Sequence, residues 1–231
     1  MFTHKKHLFF DLDHTLWDYE TSSAETLREL WHQYRLADKG VTLDDFLQKF
    51  TEINGRLWDR YHAGEIDKNV IRTDRFPAIF ADLQVADPHA AEAMQQDYIY
   101  TCPTKPYLIP GAFEVLEALS AKYKLHIITN GFEEIQGTKM RSGGIRHFFD
   151  VIVTSGRAGS QKPEPKIFTF ALDKARAKPE EALMIGDNPH SDIAGAHRAG
   201  IDQIFYNPHH LDCPVTPTLE VKSLPEILRY F

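Results

Sequence analysis

Two carboxylates and a hydroxyl crowd the segment Asp11-Leu12-Asp13-His14-Thr15-Leu16, directly after the apolar run Leu8-Phe9-Phe10. An unpaired carboxylate at the end of a buried strand is costly, so clustered acids there need a compensating partner. A divalent cation or a reacting phosphoryl group would be one. Three distant segments carry the groups such a site still lacks. Thr129-Asn130-Gly131 brings a hydroxyl and a glycine, Lys162-Pro163 an ammonium, and Gly186-Asp187-Asn188-Pro189-His190-Ser191-Asp192 two more carboxylates. A carboxylate such as Asp11 can attack phosphorus and split one difficult hydrolysis into two easier steps. A second acid such as Asp13 can protonate the departing oxygen and later deprotonate water. A hydroxyl, backbone N–H groups and an ammonium can hold the phosphoryl oxygens as charge shifts. Asp11, Asp13 and Asp187 would repel one another at close range. Mg²⁺, which takes few carboxylates and keeps waters, relieves that conflict.

These groups meet only if the fold gathers them. Five apolar runs read as buried strands: Leu8–Phe10, Leu125–Ile128, Val151–Thr154, Leu183–Ile185 and Gln203–Tyr206. The last four are separated by segments with helical periodicity. Phe113, Leu116, Leu119 and Tyr123 mark one, Ile167, Phe168, Ala171, Leu172 and Ala175 another, and Ser191 to Ala199 a short third. Strands alternating with helices predict an α/β fold with a parallel sheet. Such sheets bind ligands beyond the carboxyl ends of their strands, and Asp11, Thr129 and Asp187 all fall at such ends. Ser223-Leu224-Pro225-Glu226 predicts a short closing helix to Phe231.

The stretch from Trp17 to about Cys102 breaks this rhythm and is too long for a structureless loop. Leu27, Leu30, Trp31 and Tyr34 share one helical face. Thr42 with Asp45 resembles a capping box opening a helix through Ile53, and Asp87-Pro88 reads as an N-cap followed by a first-turn proline. The chain is therefore expected to form a core domain from residues 1–16 and 106–231, with a helical domain of residues 17–105 inserted. Trp31, Trp58 and Tyr61 read as the core of that insertion. Trp17, directly behind the acidic loop, reads as a wall of a substrate pocket.

The ordered set of Asp11, Asp13 and Thr15 (DxDxT), then Thr129, then Lys162, then Asp187 and Asp192 (GDxxxD) resembles that of haloacid-dehalogenase-superfamily phosphatases. The likeness runs from about residue 7 to the C-terminus. It implies a Rossmann-like core, with the insertion as a cap over the active site. It also implies Asp11 as nucleophile and Asp13 as general acid/base. The metal would take the Asp11 side chain, the Asp13 main-chain carbonyl and the Asp187 side chain. Asp192 would hold a metal-bound water or position Lys162. Thr129, Asn130, Gly131 and Lys162 would bind the substrate's phosphate, with Gly131 letting the backbone approach. Within the superfamily, Ile127-Ile128-Thr129-Asn130-Gly131-Phe132 and Asn207-Pro208-His209-His210 look most like bacterial nucleotidases acting on pyrimidine 5′-monophosphates, often noncanonical ones. A sugar-phosphate or acylneuraminate 9-phosphate phosphatase fits the same core motifs. A dehalogenase does not need the second acid at Asp13. A non-catalytic phospho-accepting module would lack the long insertion.

Composition narrows the partners. The net charge of −7, with no basic cluster, argues against a nucleic-acid polymer and leaves a small phosphate ester as the expected substrate. No apolar run approaches the ~20 residues of a membrane helix. Only three apolar residues follow the basic N-terminus before Asp11, too few for a secretion signal. Cys102 and Cys213 stand far apart and read as free thiols in a reducing cytoplasm. The twelve histidines form no HExxH motif and read as surface or loop residues.

Overall fold

The computed structural model describes residues 2–231. Six strands form one sheet: β1 (His7–Phe10), β2 (Lys124–Thr129), β3 (Phe149–Thr154), β4 (Ala182–Gly186), β5 (Asp202–Tyr206) and β6 (Leu219–Val221). Their order is β3-β2-β1-β4-β5-β6, and every pair is parallel. Parallel sheets are covered on both faces, which is why β1 and β4 are buried along their whole length. The winding runs outward from β1 to β2 and β3, then restarts at β4 on the other side. That reversal is the switch point at which Rossmann-like α/β sheets bind ligands. The sixth strand has no apolar run to announce it, since only Val221 of its three residues is buried.

The chain divides into two compact units, one of residues up to Tyr19 together with Lys105–Phe231, the other Glu20–Thr104. Four helices make up the second: α1 (Tyr19–Gln33), α2 (Leu43–His62), α3 (Lys68–Asp82) and α4 (Pro88–Thr101). Thr42 caps α2 by accepting the Asp45 N–H at 3.1 Å, and Asp87 caps α4 by accepting from Ala90 at 3.0 Å. Trp31, Trp58 and Tyr61 are half-buried, so they do not form this unit's core as expected. Its centre holds Phe46, Phe50, Phe76 and Tyr98 around the buried Arg75. The Arg75 guanidinium lies 4.5 Å from the Tyr98 ring centroid and donates to Asn54 at 3.0 Å. Stacking on rings lets a weakly hydrated guanidinium sit in an aromatic interior.

The sheet is flanked by α5 (Ala112–Ser120), α6 (Glu133–Ser142), α7 (Ser155–Ala158), α8 (Pro165–Ala175) and α9 (Ala194–Arg198). The face of α5 that turns inward carries Ala112, Val115, Leu116 and Leu119, and Phe113, expected on it, is 39% exposed. On α8 the expected set from Ile167 to Ala175 is buried, and it packs with Phe9, Val153 and Met184. At Gly195 a Cβ would come within 2.7 Å of the Phe168 ring, so only glycine lets α9 lie this close to α8. The segment Leu224–Tyr230 is a 3₁₀ turn series rather than an α-helix. Among the described residues, no helix is long and apolar enough to cross a membrane.

Two histidines depart from the surface reading. His7 and His126 sit buried on adjacent strands, with Nδ1 of His7 3.0 Å from Nε2 of His126 and the rings stacked at 5.3 Å. Burial, reinforced by His7 and Lys124, pushes His126 down to about 3. Burial also lowers His7. The native state thus keeps His126 neutral, whereas an unfolded chain protonates it near 6.5. Stability intact above that pH is lost as pH falls toward 3, by up to about 1.4 kcal/mol per unit. Thermal melts should show the wild type losing more stability between about pH 7 and about pH 4.5 than His126→Phe. Parallel curves would contradict a neutral, buried His126.

Candidate active site

Asp11 extends β1 by one residue, its N–H donating to Ile185 C=O at 2.9 Å. Beyond it the backbone closes into a tight loop. The N–H groups of Leu16 and Trp17 both donate to Leu12 C=O, at 2.9 and 2.8 Å, and His14 takes a left-handed φ of 64°. Such a φ is costly for a residue with a Cβ and persists only where surrounding bonds fix it. Thr15 Oγ1, fully buried, donates to Asp187 Oδ1 at 2.8 Å, so the loop after β1 reaches the loop after β4.

Lys162 stands at the centre. Its side chain is 2% exposed, and Nζ donates to Asp11 Oδ1 at 2.5 Å, Asp192 Oδ1 at 2.6 Å and Ile128 C=O at 2.9 Å. Its main chain is gripped by Asn130, which donates through Nδ2 to Lys162 C=O at 2.9 Å and accepts the Lys162 N–H on Oδ1 at 2.8 Å. Asp192 arrives by a wide turn over Pro189–Ile193. Asn188 Oδ1 accepts the N–H groups of His190 and Ser191, and the Asn188 N–H donates to Asp192 Oδ2 at 3.0 Å. A Cβ at Gly186 would overlap the Asp192 carboxylate.

Asp11, Asp187 and Asp192 each offer a carboxylate oxygen within 4.8 Å of the other two. Against these three acids stands one ammonium. Burial raises Asp11 well above the usual carboxylate range, with Lys162 opposing and Asp192 and Asp187 adding to the rise. Burial and the charge of Asp192 push Asp187 up to about 6. For Lys162 burial acts downward, but Asp11 and Asp192 more than offset it and the ammonium is held above its ordinary value. Three oxygen-donor groups with excess negative charge suit a hard divalent cation.

Several expected residues take specific places. Thr129, at the end of β2, accepts the Gly131 N–H on Oγ1 at 2.9 Å, which leaves its own hydroxyl proton to donate. Asn130, expected to touch substrate, commits both ends of its amide to the Lys162 backbone. At Gly131 the missing Cβ makes room for the Gln136 amide, not for open space. The Asp13 carboxylate is outside the three-acid cluster and pairs with Lys139 at 2.6 Å. Trp17 is fully buried and donates its indole N–H to Lys105 C=O at 3.1 Å. Lys139 lacks a sequence motif that would mark it as part of the site. A lone lysine in a helix normally reads as surface, and only its i+3 spacing from Gln136, also buried, hints at an inward face.

A sequence profile of a hydrolase family, the haloacid dehalogenase-like hydrolases, matches residues 5–200. The chain is 33% identical over 224 residues to the pyrimidine 5′-nucleotidase YjjG of Escherichia coli (strain K12), covering 95% of each chain. It is 30% identical to the pyrimidine 5′-nucleotidase PynA of Streptococcus pneumoniae (strain ATCC BAA-255 / R6), covering 96% of this chain and 93% of that one. Among solved structures, magnesium-bound HAD-hydrolase YfnB from Bacillus subtilis superposes with a TM-score of 0.87 at 28% identity, covering 98% of both chains.

The raised Asp187 gives a test of the acid cluster without turnover. Because its native value lies above the unfolded 3.8, its ionisation costs stability as pH rises through about 6. In chelator, Asp187→Asn should melt higher than the wild type near pH 7, and the gap should narrow as pH falls toward 4. Added Mg²⁺ should raise the wild-type melting temperature and leave the variant's nearly unchanged. A wild type that melts higher than the variant at neutral pH without metal would contradict the electrostatic account.

Proposed function

The chain belongs to the haloacid dehalogenase-like hydrolase family, and from that premise we propose that it is an Mg²⁺-dependent phosphomonoesterase. It acts through an aspartyl phosphate on small phosphorylated metabolites, with pyrimidine nucleoside 5′-monophosphates as the preferred class. The observation that carries this reading is the meeting of Asp11, Lys162, Asp187 and Asp192 at the switch point of the sheet, with a second acid, Asp13, two residues beyond the first. The nucleotide preference is supported by the two pyrimidine 5′-nucleotidases that align with nearly the whole chain.

In this mechanism an Asp11 carboxylate oxygen attacks phosphorus and the bond from phosphorus to the ester oxygen breaks. Asp13 gives its proton to the departing oxygen, so a poor leaving group departs as an alcohol. Asp13 then takes a proton from water as that water attacks phosphorus, which releases phosphate and frees Asp11. Thr129 donates its hydroxyl to a phosphoryl oxygen, and Lys162 turns to another the ammonium proton that Asp11 gives up as its oxygen attacks. Asn130 holds Lys162 in place. The Asp11 and Asp187 side chains, with the Asp13 main-chain carbonyl, would hold Mg²⁺, and Asp192 would fix Lys162 and a metal-bound water. Bound there, Mg²⁺ supplies the positive charge that lets a phosphate approach ionised carboxylates. The helical unit Glu20–Thr104 acts as a cap domain that selects the alcohol carrying the phosphate. The two free thiols fit a reducing cytoplasm as the place of action.

A screen of phosphorylated metabolites for phosphate release tests this directly. Wild type with Mg²⁺ should hydrolyse pyrimidine 5′-monophosphates well, chelator should abolish release, and folded Asp11→Asn should show no turnover. Sugar phosphates cleaved well and nucleotides hardly at all would overturn the substrate class. Activity in Asp11→Asn would overturn the mechanism.

Asp13 has its own signature. Asp13→Ala should cost ~10²–10⁴-fold in kcat/KM for a nucleoside monophosphate. The loss should be much smaller for nitrophenyl phosphate, whose leaving group needs no proton. Equal losses on both substrates would remove Asp13 from proton transfer.

A further inference from the structure

Lys139 lies in the last turn of α6 and is 5% exposed. A lysine so buried is rare unless its charge is answered. Its Nζ stands 2.6 Å from Asp13 Oδ1 and 4.6 Å from the centroid of the Trp17 ring. That ring is itself fixed. Its indole N–H is bound by Lys105 C=O, its main-chain N–H by Leu12 C=O, and its backbone bridges to Asp13 on one side and Leu108 on the other. The ammonium is thus held between an aromatic face and one carboxylate oxygen, an arrangement that favours a cation with little access to water. Asp13, by contrast, sits on a loop with its side chain 23% exposed. Lys162 cannot steady it, being committed to Asp11, Asp192 and Ile128 C=O.

We propose that Lys139, its ammonium resting on the Trp17 ring, is a positioning residue for Asp13, holding Oδ1 so that Oδ2 faces the departing oxygen. This rests on the phosphatase reading above. In the first step the bond from Asp11 to phosphorus forms, the bond from phosphorus to the leaving oxygen breaks, and that oxygen keeps the electron pair and takes the Oδ2 proton. Proton transfer of this kind demands hydrogen-bond reach, and a misplacement of ~1 Å can cost ~10²-fold. Lys139 does not touch substrate; it acts by removing the freedom of the carboxylate that does.

The test is the dependence of kcat/KM on leaving-group pKa across phosphate monoesters, from nitrophenyl phosphate to nucleoside and alkyl phosphates. Loss of positioning should steepen it. Lys139→Met should lose roughly 10–10²-fold on nucleoside and alkyl esters and no more than about threefold on nitrophenyl phosphate. Lys139→Arg, which keeps a cation, should give a shallower dependence than Lys139→Met. Thermal melts confirm that each variant is folded. Should Lys139→Met not fold, Lys139→Gln takes its place against the arginine variant. A folded Lys139→Met with the wild-type slope, or with one uniform loss across all esters, overturns the proposal while the phosphatase reading stands. A wild type that releases phosphate from none of the esters overturns that reading instead.

Discussion

One buried ammonium between two buried carboxylates governs this molecule. Lys162 touches Asp11 and Asp192 within 2.6 Å, and all three side chains are buried. Removing one partner of a buried charge pair typically costs about 3–5 kcal/mol, because the other is left without compensation. Much of the nearby sequence serves that contact. Asn130 grips the lysine's main chain, Ile128 C=O takes a third ammonium proton, Asn188 bends the chain to deliver Asp192, and Gly186 leaves room for it. The sheet order then brings the carboxyl ends of β1, β2 and β4 side by side. One lysine among three acids still leaves an excess of negative charge, and that excess makes the site a place for a cation and a phosphate rather than a finished salt bridge.

Two lysines divide three of the four acids of the DxD and GDxxxD segments, while the fourth, Asp187, accepts from Thr15. Lys162 belongs to Asp11 and Asp192, and Lys139 belongs to Asp13. The division follows the two tasks that phosphate ester cleavage sets, attack on phosphorus and protonation of the departing oxygen. Groups two residues apart on one loop would otherwise compete for the same cation. Separate partners on separate elements, the loop before α8 and the last turn of α6, keep them apart.

The sequence carried much of this design where the physics is local. Five strands showed as apolar runs because a parallel sheet buries both faces. The ends of three of those strands placed Asp11, Thr129 and Asp187 together, and the caps at Thr42 and Asp87 were readable from residue type and spacing. What stayed hidden depends on partners far along the chain. Lys139 meets Asp13 across 126 residues, and His7 meets His126 across 119. Neither pairing leaves a local trace, so a lysine in a helix and histidines in strands read as ordinary surface. Strand β6 is three residues long with one buried side chain, and α3 carries Pro77 in its interior, which breaks the helical signal. The helical unit misled for another reason. Its aromatics Trp31, Trp58 and Tyr61 look like core by size, but the centre is built from Phe46, Phe50, Phe76 and Tyr98 around Arg75, a residue type that sequence patterns place outside.

Turnover depends on Asp11 as the carboxylate that bonds to phosphorus. A single turnover in Mg²⁺, quenched rapidly in acid, reduced with borohydride and mapped by peptide mass spectrometry, reads this directly. Asp11 alone should be converted to homoserine, in proportion to the phosphoenzyme present and only when substrate is added. Phosphate released through the whole turnover with Asp11 unmodified at every quench time, or reduction at a different carboxylate, would contradict it.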